Sequence, residues 1–340
     1  MRRARATPAR VAIVTLASLA LLVAAVLAAF LVGVEPIDLH RALFDRESPD
    51  AAILFGTRIG RVLLGAIVGA ALAPAGVAFQ ALLRNPLADP YVLGVSGGAA
   101  VAGTAAIVLG GTTIGWLGVW TLPAWAFLGA VASVAAVYAF GRVRGRLVPN
   151  VALLAGVVWN ALSASLIVAI RLVATPMQAH EALSWLTGSL APIDGGRLAA
   201  LAVYVAVGLA VLGFMAVPMN ALALGDEAAH TVGVDTDGAR RTIFLAASLL
   251  TGAAVAFAGP IGFVGIVVPH VLRGLVGPDH RVLVPASALV GGAFLVVADT
   301  CARLSFRLLH TEPTVGVLTA IVGAPFFLVV LRRRGAERLF

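Results

Sequence analysis

Any chemistry in this chain has to come from arginine. All 24 basic side chains are Arg and Lys is absent. A phosphate-binding loop needs a lysine to reach the nucleotide, so any ATP used here is bound by another polypeptide. A lysine Schiff base is excluded too. The six histidines (His40, His180, His230, His270, His280 and His310) contain no pair at i,i+4 spacing. They do not compose an HExxH zinc site. No metal site or catalytic residue is expected. Cys301 is the single cysteine and cannot close an internal disulfide. What remains is guanidinium recognition. Arg58 and Arg61 flank the mouth of an apolar run. There they either anchor a helix end or pair bidentately with carboxylates and steer a partner.

The elements that would position them are membrane helices. The 340 residues are 61% hydrophobic and 12% charged, with a mean hydropathy of +1.02. A soluble domain cannot hide that much apolar surface, so residues 1–340 read as one all-α membrane domain in contact with lipid. Runs near 11–33, 61–82, 93–111, 117–140, 151–173, 198–217, 241–258, 261–276, 283–299 and 314–331 give about ten transmembrane spans. The first run is longer than the ~7–15-residue core of a signal peptide and reads as an uncleaved span. With a cytoplasmic N-terminus, sixteen arginines fall inside and eight outside, as positive-inside placement requires. Both termini are then cytoplasmic. The net charge of +8 sits at span ends, which argues for topology and against nucleic acid as a partner.

Residues 218–240, PMNALALGDEAAHTVGVDTDGAR, are too polar to span. Leu222, Leu224, Ala228, Ala229 and Val232 fall near helical spacing beside Asp226 and Glu227, and Gly233 breaks the run. One or two short amphipathic helices on the cytoplasmic face are expected, with Asp226 and Glu227 exposed. Pro149 and Asn150 open the fifth span, with Pro in a first helical turn. Asn160 and Ser163, inside that span, either line a polar path or bond neighbouring helices. Trp116, Trp120, Trp125 and Trp185 read as an interfacial belt. A proton-coupled carrier needs an ionisable group within the membrane; Asp89, Asp299 and Glu312 all read as span ends.

Several blocks then fall in a recognisable order. They are RIGR at Arg58–Arg61, RNPLADP at Arg84–Pro90, LGVSGG at Leu93–Gly98, GPIGFVGIVVPHVLR at Gly259–Arg273, ADTCAR at Ala298–Arg303 and GAPFF at Gly323–Phe327. From about Arg58 to Arg333 the chain resembles the FecCD family, the permeases of ABC importers for vitamin B12, haem and ferric siderophores. The resemblance implies a type II importer permease in the bacterial inner membrane, without a catalytic site or a cofactor of its own. It implies a homodimer, two ABC ATPase subunits carrying ATP and Mg, and a periplasmic substrate-binding protein. It implies that Arg58, Arg61 and Arg303 receive acidic residues of the binding protein. Residues 218–240, with Asp226, Glu227, Gly233 and Arg240, would be coupling helices for the ATPase. Pro149, Asn150, Asn160 and Ser163 would contribute to the cytoplasmic gate, although vitamin B12 members carry small hydroxyl residues where Pro149 and Asn150 stand. The cargo expected is an iron chelate (haem or a ferric siderophore), with a corrinoid as the alternative.

The missing lysine makes one prediction at this stage. The purified chain is expected to bind no ATP and to show no ATPase activity. Nucleotide binding by the chain alone, measured by equilibrium dialysis, would overturn that reading.

Overall fold

The computed structural model describes residues 7–35, 37–110 and 118–337. Arg2, Arg3, Arg5, Trp116 and Arg338 therefore lie outside the described residues. Among the described residues, eight helices are long and apolar enough to cross a membrane. They are α1 (Pro8–Leu31), α4 (Ile59–Leu82), α6 (Thr121–Phe140), α7 (Pro149–Arg171), α9 (Gly195–Phe214), α12 (Thr236–Ala258), α14 (His280–Leu309) and α15 (Val315–Glu337). Short helices α2 (Leu39–Phe44) and α3 (Pro49–Ile53) lead through a π-helical turn into α4, and α8 (Pro176–Leu186) precedes α9.

All ten expected spans meet helix, but two do not reach across. The third is α5 (Val95–Val108) and the eighth is α13 (Val264–Val276), of 14 and 13 residues. At 1.5 Å per residue each is about 20 Å long, short of a ~30 Å hydrocarbon core. The ninth errs the other way: α14 has 30 residues and continues well past 299. That change moves Asp299 from a span end into a helix. The 218–240 segment forms α10 (Ala216–Leu224) and α11 (Asp226–Thr231). Gly233 has φ +80°, a left-handed conformation that costs glycine little and a β-branched residue much.

α4 is the axis of the bundle. It is buried along most of its length and packs on α14, α12, α13, α9 and α1. Its small residues allow the backbones to touch. A methyl placed on Gly69 would strike the carbonyl of Gly291, and one on Gly76 would strike the carbonyl of Gly265. Gly98 and Gly129 make the same reciprocal contact between α5 and α6. Without a hydrophobic drive between helices in lipid, such close approach supplies the packing attraction. α1 lies on α14 and α4, its Ala25 and Ala29 meeting Ala293 and Val296 of α14 and Val62 of α4.

The short helices leave backbone outside regular structure, and three non-helical segments satisfy one another. The Ser189 amide donates to the Ala258 carbonyl at 2.8 Å, and the Gly316 amide to the Gly188 carbonyl at 3.1 Å. The Ile261 amide donates to the Tyr91 hydroxyl at 2.9 Å. Asp89 accepts from the Tyr91 amide at 2.8 Å and from the Phe263 amide. Phe263 caps α13 in a left-handed conformation, φ +68°. The buried Asp89 carboxylate thus sits at the positive end of α13 and takes up an amide that the helix leaves unpaired. Irregular backbone inside a membrane bundle requires such internal partners.

Gly76→Val should therefore push α4 off α13, costing about 1–3 kcal/mol as overpacking. Gly213→Val in α9, where a methyl meets nothing within 4 Å, is the control. Thermal unfolding in detergent should show a drop for the first variant and little change for the second.

Candidate functional sites at the two ends of the bundle

At the end where α1 finishes, Arg58, Arg61 and Arg303 converge, as their roles in the sequence reading require, but their surroundings differ from that reading. They were expected to be exposed. Arg58 is 5% exposed and Arg303 6%. Arg58 donates to the carbonyls of Phe30 and Glu35, both at 2.8 Å. Arg303 donates to the carbonyl of Val32 at 3.3 Å, and Arg307 to that of Gly33 at 2.9 Å. Guanidiniums thereby serve the last carbonyls of α1 and the chain just beyond it, where a helix carries partial negative charge.

Between them lies Asp299, 1% exposed. Arg61 approaches it side-on, Nε and Nη2 donating to Oδ1 at 3.0 and 2.8 Å. Arg303 Nε donates to Oδ2 at 3.1 Å. Asp299 stands four residues before Arg303 on α14, the favourable order for a helical ion pair. Arg61 also pairs with Glu312, in the turn between α14 and α15. The sequence places Asp299 and Glu312 at span ends without giving either a partner. The i,i+4 spacing in ADTCAR was the available signal for the first; nothing local marks the second.

The opposite end carries α10 and α11. Arg84, just past α4, donates to the Leu222 carbonyl at 2.9 Å and pairs with Asp226. Arg240 of α12 pairs with the same carboxylate. Hydrogen bonding to Arg240 holds Asp226 below the usual carboxylate range. A depressed value stabilises the folded form above the ordinary pKa and loses that contribution as pH falls through the lowered one, so this tie is intact at neutral pH. Asp226, expected to be exposed for contact with a partner, has a side chain 46% exposed that already pairs with both arginines. Glu227 is exposed. Asn220 of α10 donates to Asp279 at 2.9 Å and accepts from the His280 amide at 2.9 Å. The segment is therefore tied to the end of α4, to α12 and to the start of α14.

α7 begins with Pro149, and Asn150 is exposed beside it. Asn160 donates to the Tyr91 carbonyl at 2.9 Å. Ser163 is buried, and both residues face Gly97 of α5 closely enough that a methyl there would lie 2.7 Å from Asn160 Oδ1 and 2.9 Å from Ser163 Oγ. Asn160 and Ser163 thus bind α7 to the start of α5. The remainder of α7 presents Leu154, Val158, Leu162 and Val168 outward. Of the tryptophans, Trp120 and Trp125 are exposed, whereas Trp185 packs on Gly103 of α5.

A bundle of long apolar helices with ion pairs at both ends is the architecture of a polytopic membrane protein. The model of the FecCD transport family matches residues 16–333, and the chain belongs to that family. It is 46% identical to the cobalamin import system permease BtuC of Halobacterium salinarum, covering 85% of this chain and 76% of that one. It is 37% identical to the hemin transport permease HmuU of Yersinia pestis, covering 88% and 89%. It is 39% identical to the Fe(3+) dicitrate permease FecD of Escherichia coli, covering 95% and 99%. A solved structure described as an inward-facing ABC transporter of the metal-chelate type superposes with a TM-score of 0.81 at 28% identity, over 95% of this chain and 99% of the other. The chain is the non-catalytic permease subunit of a type II ABC importer.

Asp299→Ala should strand two guanidiniums and lower stability by about 3–5 kcal/mol, the cost of breaking a buried ion pair. Asp226→Asn, at a solvated pair, should cost about 1 kcal/mol or less. Denaturation of the solubilised permease, comparing the two variants, measures the difference.

Proposed function

We propose that two copies of this chain enclose a pore for a bulky metal chelate, with both termini cytoplasmic in the inner membrane of a bacterial-type cell. Two ATPase subunits, holding ATP and Mg, bind beneath α10–α11, and a substrate-binding protein docks at the Arg61 end. The observation that carries this reading is the fastening of α10–α11 to α4, α12 and α14 at once. A push on so short a segment is delivered to three long helices. Glu227 and Gly233 supply the exposed contact and the turn; Asp226 and Arg240 hold the segment in place. Of the three outer arginines, Arg61 suits docking best, because its side chain is 20% exposed while Arg58 and Arg303 are occupied by carbonyls. The start of α7, with Pro149 and Asn150, contributes to the inner gate, and Asn160 and Ser163 fix that helix against α5.

The cargo is a corrinoid or an iron chelate. The higher identity to the cobalamin permease than to the hemin and ferric dicitrate permeases favours the corrinoid. Uptake into vesicles of the whole transporter, offered cyanocobalamin, haemin and a ferric hydroxamate in turn, separates the alternatives. ATP without a proton gradient should suffice; a requirement for the gradient would instead indicate a secondary carrier.

Glu227→Arg should leave a folded dimer that recruits less ATPase and transports at least about tenfold more slowly, a loss of ~1.4 kcal/mol or more in coupling. Normal recruitment and normal uptake by this variant would remove α11 from the ATPase interface.

A further inference from the structure

The guanidinium of Arg61 has two carboxylate-binding edges. The side-on edge, Nε and Nη2, is filled by Asp299. The end-on edge, Nη1 and Nη2, is only half filled. Glu312 takes Nη2 through a single oxygen, Oε1, and Nη1 has no hydrogen bond among the described residues. The Glu312 side chain is 34% exposed, whereas that of Asp299 is 2% exposed. Glu312 belongs to the α14–α15 turn, where the Thr314 hydroxyl also donates to the Thr187 carbonyl at 3.3 Å. The two carboxylates on Arg61 therefore differ in kind. Asp299 is held by a second arginine on its own helix and by burial. Glu312 is held by one hydrogen bond at the rim.

Resting on the docking role given above to Arg61, we propose that Glu312 is an internal stand-in for a carboxylate of the substrate-binding protein. In the undocked permease it occupies the end-on edge of Arg61 with one oxygen. An incoming Asp or Glu takes the same edge with two, and Glu312 swings out into solvent. A bidentate pair on a planar fork outcompetes a monodentate one, so the exchange runs toward docking. The stand-in also keeps the guanidinium oriented and deprives any weaker anion of the edge. Glu312 thus lowers affinity in order to select a partner that offers a well-placed carboxylate.

The test uses the complete transporter in lipid nanodiscs and its own binding protein, with affinity read by surface plasmon resonance at low salt. Glu312→Gln is expected to raise affinity about threefold, within the range of an exposed charge pair. Arg61→Gln should weaken binding, and in that background Glu312→Gln should have no further effect. Glu181→Gln removes an exposed carboxylate on α8 without touching the cluster, and should change affinity far less. An unchanged or lower affinity for Glu312→Gln would overturn the stand-in role while leaving docking intact. So would an equal gain in the Arg61→Gln background or from Glu181→Gln, since either marks a general charge effect. If Arg61→Gln binds normally, the docking role fails, and the stand-in role fails with it.

Discussion

The close approach of α4 and α14 is the constraint on which the remaining architecture depends. Gly69 and Gly291 let the two backbones meet where any side chain would collide. That contact brings residues at opposite ends of the sequence into register. Arg61 of α4 can reach Asp299 of α14 only because the helices lie this near. At the other end the same pair offers Arg84 and Asp279 to α10 and α11 from both sides. Packing in the middle thus sets the electrostatics at both ends.

The ends use charge differently. At the Arg61 end most charge is buried and spent on main-chain carbonyls of α1 and on one carboxylate. Desolvating ions is costly unless each is paired, and here Asp299 serves two guanidiniums while the carbonyls serve the others. At the α10–α11 end the ion pairs are solvated and individually weak. Their effect is geometric: a carboxylate shared by Arg84 and Arg240 stops the short segment from sliding between its neighbours. A rigid cap at one end and an adjustable fastening at the other suit a permease that must receive force without losing its fold.

The helical class, the approximate number of spans and the short helices of 218–240 were all legible in the hydropathy pattern, because a bilayer imposes length and composition on whatever crosses it. Ion pairing was not. Arg58 and Arg61 could be singled out by type and position, yet the burial of Arg58 follows from the end of α1 and the chain beyond it packing on its guanidinium, a tertiary event. Asp226 looked free because its partner Arg84 lies 142 residues away. The shortness of α5 and α13 was also hidden. Their apolar runs extend into Leu93, buried in a short 3-10 turn, and Ile261, buried in non-helical chain, so composition alone could not distinguish α-helix from packed irregular chain.

The interlocked segments around Asp89, Gly188 and Ile261 bear on how the molecule is made. They come from three distant parts of the chain, and the last of them emerges only after some 260 residues have been synthesised. Until then the stretch after α4 and the stretch after α8 lack the amides and carbonyls that complete them. α5 and α13, each about 20 Å long, fall short of a ~30 Å hydrocarbon core, so the chain at their ends is completed within the bundle only once these distant segments have come together.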